Sequence, residues 1–191
     1  MVRFSEIKYE RPDIEALKTQ YAELTERLKS AADYAEARAV FLEMETLSKR
    51  IQTQAVLCSV RHSIDTRDKF YDEEEKFWNA AGPELQEYEQ QWTAALLASP
   101  FRADFAREYG EIMFTNAEIA LKTFSPEIIP ELQQENELVQ AYEKLLASAQ
   151  IPFEGGVYTL SQLTPFKTDA DDARRLAAWK AEGAWYKANQ A

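Results

Sequence analysis

Apolar residues recur at spacings of three and four along most of this chain, the pattern of helices that each bury one face. The first run, Ile14, Leu17, Tyr21, Leu24 and Leu28, follows Arg11-Pro12-Asp13. Pro12 suits a first helical turn, where its missing N–H would be unpaired anyway. A longer run takes in Tyr34, Ala37, Phe41, Met44, Ser48, Ile51, Ala55, Cys58 and His62. Its alternating steps predict a long helix packed antiparallel on its neighbours. Asp33 is placed to cap it by accepting an N–H near Glu36, and Val40 and Leu47 widen the stripe. Thr66 or Asp68 opens a third helix. Its first turns carry Asp72, Glu73, Glu74 and Glu75, charges that the helix dipole favours there.

Gly82-Pro83 punctuates the pattern. Beyond it, Leu85, Tyr88, Trp92, Ala95 and Leu96 predict a fourth helix. Ser99-Pro100 opens a short fifth one with Phe101, Phe105 and Tyr109, stopped by Gly110. Ile112, Phe114, Ala117 and Leu121 make a sixth over 111–124. Ser125-Pro126 reads as a cap plus a first-turn proline. The helix behind it reaches about Ala149 along Leu138, Tyr142, Leu145 and Ala149. The period then changes, and Gly155-Gly156 between two short β-prone runs signals a hairpin. Residues 169–172 cap a last helix with Leu176, Trp179, Gly183 and Tyr186. The expected fold is all-α: a multi-helix bundle of long antiparallel helices with one small β-hairpin near 151–160, forming a single helical domain over 1–191. The last helix reaches Ala191 without a glycine, proline or polar cap, with Trp179 and Trp185 close to the end. That reads as a chain cut inside a larger fold, which would leave an apolar surface open to self-association near those tryptophans. A natural terminus with a docked helix is the competing view.

Charge narrows the partners. With 22 Lys+Arg against 33 Asp+Glu the net charge is −11, which argues against nucleic acid or an anionic membrane surface. The longest uncharged runs, such as 90–101, fall well short of the ~18–20 residues that span a bilayer. The opening residues contain no apolar segment of the secretory type. The single cysteine, Cys58, allows no intrachain disulfide and fits a reducing, cytoplasmic compartment. The single histidine, His62, rules out HExxH and every two-histidine metal site within these residues. The five glycines cannot form a phosphate-cradling loop. No catalytic residue and no metal ligand is therefore assigned.

Three features could carry chemistry, and each has a plainer reading. Cys58 and His62 share a helix face and could be two ligands of one metal, yet both lie in register with the apolar stripe, where a free cysteine behaves as a small hydrophobe. Arg61, His62, Asp65, Arg67 and Asp68 form a dense polar cluster in which Asp65 could fix the tautomer of His62. It could be an acid–base couple; a knot locking the corner between two helices is favoured. The acidic run 72–75 is a solvated helix start rather than a cation site, because contiguous carboxylates on a helix point in different directions. Most Trp and Tyr residues fall on helical stripes. Tyr158, on the hairpin, is the exception and the weak candidate for substrate binding, able to present a hydroxyl to a bound chain. A hairpin edge can pair with an extended peptide, and one that merely closes the bundle is the alternative.

Several strings, in order along the whole chain, resemble a known family. They are FSEIKYERPD near the start, RHSIDTRDKFYD at 61–72, ALKTFSPEIIPEL through LLASAQIPFEG at 120–155, and LSQLTPF at 160–166. This sequence resembles the amino-terminal part of oligoendopeptidase F-type zinc metallopeptidases, in the thimet oligopeptidase-like family. The resemblance implies a mostly helical, two-lobed enzyme that cleaves short peptides in a deep channel. It also implies zinc in the intact enzyme, held by HExxH and a later Glu. None of those ligands has a counterpart here, so the chain would be the amino-terminal lobe, binding no zinc and inactive alone. Its implied partners are short peptides and a carboxy-terminal catalytic lobe. A free-standing acidic helical scaffold without enzymatic activity is the alternative function.

Overall fold

The computed structural model describes residues 3–190. Among these, eight α-helices, two short 3-10 turns and one two-stranded hairpin account for the regular structure, matching the expected mainly helical fold. The chain falls into two compact units, the first ending at Asn136 and the second beginning at Glu137. Among the described residues no helix is long and apolar enough to cross a membrane.

The first unit is built on α1 (Ile14–Ser30), α2 (Tyr34–Ile64) and α3 (Lys69–Leu97). Asp13 caps α1 through the N–H of Ala16, so Pro12 sits just outside the helix rather than in its first turn. Asp33 caps α2 through the N–H of Glu36, as its sequence position predicts. Of the two candidates for α3, Asp68 is the cap; its carboxylate accepts from Phe70 and Tyr71.

Side-chain pairs set the directions of these helices. Arg27 meets Glu43 and Arg50 meets Gln20, so α1 and α2 run antiparallel. Arg61 meets Tyr71 and Cys58 meets Glu75, so α2 and α3 do too. Lys18 with Glu84 and Tyr21 with Glu89 leave α1 and α3 parallel. Between them lies one core that includes Leu17, Tyr21, Leu28, Val40, Met44, Leu85 and Trp92. Helices α4 (Arg102–Tyr109) and α5 (Glu111–Thr123) add Phe105 and Phe114 to it. They are separated by Gly110 at φ 93°, a left-handed conformation that glycine adopts without a Cβ penalty.

Gly82-Pro83 does not break the chain: α3 passes straight through it. A mid-helix proline cannot donate to the carbonyl four residues back, here that of Asn79. The side chain of Asn136 donates to that carbonyl at 3.2 Å, and Gln133 donates to the next one, on Ala80, at 2.7 Å. Both donors belong to α6 (Ile129–Ala147). The proline is tolerated because a distant segment supplies what it removes. Asn136→Ala is expected to lower stability by about 1 kcal/mol, the worth of one such bond, measurable as a lower urea midpoint.

Ser125 makes no side-chain cap, and Pro126–Ile128 form a 3-10 turn ahead of α6. The stripe expected along α6 is not a buried face: Leu138 and Tyr142 are more than half exposed, and Ala149, which is buried, lies beyond the helix end.

The second unit places β1 (Ile151–Phe153) antiparallel to β2 (Gly156–Tyr158). The turn is Glu154-Gly155, at φ 47° and 78°, not the expected Gly155-Gly156. Two successive positive φ values suit the twist of a two-residue hairpin. Ile151 and Phe153 point inward and pack with Leu163 of α7 (Leu160–Lys167) and Ala178 of α8 (Asp172–Ala188). The sequence pattern had not separated α7 as a helix. Thr159 and Gln162 form a reciprocal capping box at its start. On α8 the buried residues are Ala178 and Glu182, whereas Leu176, Trp179 and Tyr186 of the expected stripe face solvent.

Candidate functional site

The polar residues singled out near 61–72 divide between two environments. Asp65 and Arg67 pair with each other on the surface at 3.0 Å. Asp68 is spent on the cap of α3. Arg61 turns inward instead. Its guanidinium donates to the Tyr71 hydroxyl and to the Ile7 carbonyl, and it lies over the rings of Phe4 and Tyr71. It therefore binds the amino-terminal segment to the α2–α3 corner.

His62 is 2% exposed, and its Nε2 faces Asp72 at 3.6 Å without a hydrogen-bond partner. Asp65, the partner expected from sequence, points elsewhere. The reason is geometric. Three residues on, Asp65 lies past the last turn of α2, whereas antiparallel α3 brings Asp72 back alongside His62. Cys58 is fully buried, and its thiol donates to a Glu75 carboxylate oxygen at 3.5 Å. Burial first, and the Glu75 charge second, push that thiol up to about 12. It is a protonated core group, not a nucleophile.

The acidic run departs furthest from its sequence reading. Only Glu73 is exposed. Glu74 is 5% exposed and gathers a polar network around its carboxylate. Arg11 Nε and Nη2 reach its oxygens at 2.9 and 2.6 Å, and the Tyr9 hydroxyl donates to Oε2 at 2.6 Å. Trp78 Nε1 in turn donates to Tyr9 at 3.1 Å. The Arg11 guanidinium, which also covers the ring of Phe77, and then Tyr9 hold the Glu74 carboxyl below the usual range against the opposing effect of burial. Burial and Glu74 together raise the Tyr9 phenol far above its usual value. Sequence reasoning missed this network, although one signal pointed to it. Glu74 shares the helical face of Trp78, Ala81, Leu85 and Trp92, and a charge on a buried face requires a partner.

In the second unit, Tyr158 packs its ring on Phe166 at 5.0 Å and folds back over Gly156, where any Cβ would meet the ring at 2.7–2.8 Å. Val157 beside it is exposed. Arg174 fastens the turn: it forks onto Glu154 at 2.7–3.0 Å, reaches Asp169 at 2.7 Å and lies over Phe166. Lys167 pairs with Glu182 at 2.5 Å and rests on the ring of Trp179.

Apart from His62 Nε2, these groups are paired within the fold. Among the described residues no three His, Cys, Asp or Glu side chains are placed to hold a metal ion. The described residues therefore offer no ligand set that fits a catalytic zinc.

Residues 4–124 match the Peptidase M3 N-terminal domain. The chain belongs to this M3 peptidase family. Comparison with solved structures extends the likeness beyond the matched segment. An oligoendopeptidase F is 38% identical and superposes with a TM-score of 0.95 over 100% of this chain and 34% of its own. Pz peptidase A, solved with an inhibitor, is 37% identical with a TM-score of 0.94, over 98% of this chain and 34% of its own. An oligoendopeptidase F from Bacillus anthracis str. Ames is 38% identical with a TM-score of 0.93, over 97% and 34%. The M3 chain thus spans about a third of the length of the peptidases it matches. No match was found among curated proteins. The M3 match ends at residue 124, so the likeness of α6, the hairpin, α7 and α8 rests on the structural superpositions alone.

Proposed function

We propose that this chain is the amino-terminal helical lobe of a zinc metalloendopeptidase that hydrolyses short peptides inside a channel, and that it is inactive by itself. The observation that carries this reading is the superposition of the entire chain on a third of an oligoendopeptidase F at 38% identity. The deeply paired polar groups of the first unit support a scaffolding role. Asp33 and Asp68 serve as helix caps, Arg11 and Glu74 tie the amino-terminal segment to α3, and Cys58 has the wrong proton affinity for a nucleophile. In this reading the lobe forms one wall of the substrate channel, and zinc belongs to the catalytic part. The lone thiol, which needs no oxidising compartment, leads us to place the enzyme in the cytoplasm.

The test combines metal analysis with turnover of a quenched short peptide. The chain of 191 residues is expected to hold less than stoichiometric zinc and to leave the peptide intact. Turnover by this chain alone would overturn the proposal. An open reading frame beyond residue 191 that encodes HExxH is the second expected result, and a stop codon there would count against it.

A further inference from the structure

We propose that α8 is packed on both of its faces in the intact peptidase, and that its outer stripe receives one helix of the catalytic part. This rests on the lobe reading above. The inner face of α8 is already occupied: Ala178 and Ala181 pack into the core of the second unit together with Trp185. On an adjoining face Leu176 is 54% and Trp179 55% exposed, the Trp179 ring carrying the Lys167 ammonium, and Tyr186 is exposed as well. With Gly183 these residues step three, four and three along the helix, the register of a helix–helix seam. A helix apolar on two faces is one that packs on two faces.

Gly183 supplies the second observation. Glycine is a poor residue in mid-helix, and a side chain here would meet nothing within 4 Å. Packing inside this chain therefore gives no reason for it. Trp179 and Tyr186 stand one turn to either side, so the glycine makes a notch between two large rings that lets another backbone approach closely. The occupant is a helix rather than an extended peptide, because the stripe follows a helical and not a two-residue repeat. Its source is the two-thirds of polypeptide by which the matching peptidases exceed this chain. Lys180 and Lys187 flank the notch on one side and call for acidic residues along the edge of the incoming helix.

Leu176→Cys tests the contact, since Cys58 is buried and leaves the lobe without another reactive thiol. Labelling by a small maleimide is compared between the 191-residue chain and the polypeptide read through to its catalytic part. The expected result is a rate at least tenfold lower in the longer polypeptide. Equal rates would overturn the helix contact and leave the lobe reading standing. A rate that falls as the 191-residue chain is concentrated would assign the stripe to a second copy and overturn the proposal. A reading frame that closes at residue 191 would remove the proposal and the lobe reading together. Gly183→Leu gives an independent sign: it should raise Tm in the shorter chain by favouring the helix, and lower it in the longer one by filling the notch. A rise in both would overturn the proposal.

Discussion

Replacing Phe105 by alanine is expected to cost about 4 kcal/mol of unfolding free energy, near the middle of the range for deleting a buried phenyl ring. Phe105 is completely buried, with the rings of Tyr34, Phe41 and Tyr109 at 5.1, 5.3 and 6.2 Å. It is also the one buried residue of α4, an eight-residue helix. A helix that short is not stable in water on its own account, so its attachment depends on this ring. The cavity term adds to the lost transfer free energy because Tyr34 and Phe41 are held on α2 and Tyr109 on α4 itself, so the three rings cannot all close in. Phe105→Leu keeps most of the volume and should cost less than about 1.5 kcal/mol. Urea denaturation of the two variants checks the ratio. Amide exchange over 102–109 should show α4 of the alanine variant opening ahead of global unfolding.

The second large effect is electrostatic and depends on pH. Glu74→Gln is expected to lower stability by about 2 kcal/mol at pH 7, less than the ~3–5 kcal/mol for breaking a fully buried pair, because Arg11 is half exposed and recovers water. The folded-state pKa of Glu74 is lowered, by Arg11 first and Tyr9 after it. Its contribution is therefore fully present above the unfolded carboxylate value of about 4.3 and is lost as pH falls through the depressed folded value. The stability gap between the parent and Glu74→Gln should be constant from neutral pH to about pH 5 and narrow below about pH 4. Glu89, hydrogen-bonded to Tyr21, is shifted the other way by desolvation, so the difference between the two proteins is the quantity to follow. A gap independent of pH down to acid unfolding would exclude the charged network.

What could be read from sequence follows from how local each signal is. Asp33, Asp68 and Gly110 act within one turn of where they stand, and each performs the role that its position predicts. The long stripe of α2 was legible because nine positions in one repeating register overdetermine it. Pro83 was misread as a boundary because the groups that rescue it, Gln133 and Asn136, are 53 and 57 residues from the carbonyls they bind. His62 was paired with Asp65 for the same reason: adjacency in sequence is visible, and adjacency across an antiparallel helix pair is not. Glu74 was lost among its acidic neighbours, since composition registers four like charges and only the helical phase separates the one that turns inward. The stripe of α8 was correctly found as a stripe, but a pattern of apolar positions does not say on which side the covering element lies.

The crossing of Pro83 by α3 sets an order of events during synthesis. While the ribosome is still making residues before 133, the middle of α3 carries a carbonyl to which Pro83 cannot donate. The Asn136 amide can reach that carbonyl only after Asn136 has left the exit tunnel. A nascent chain paused before that point lacks both braces on the middle of α3, and translation of α6 is the step that supplies them.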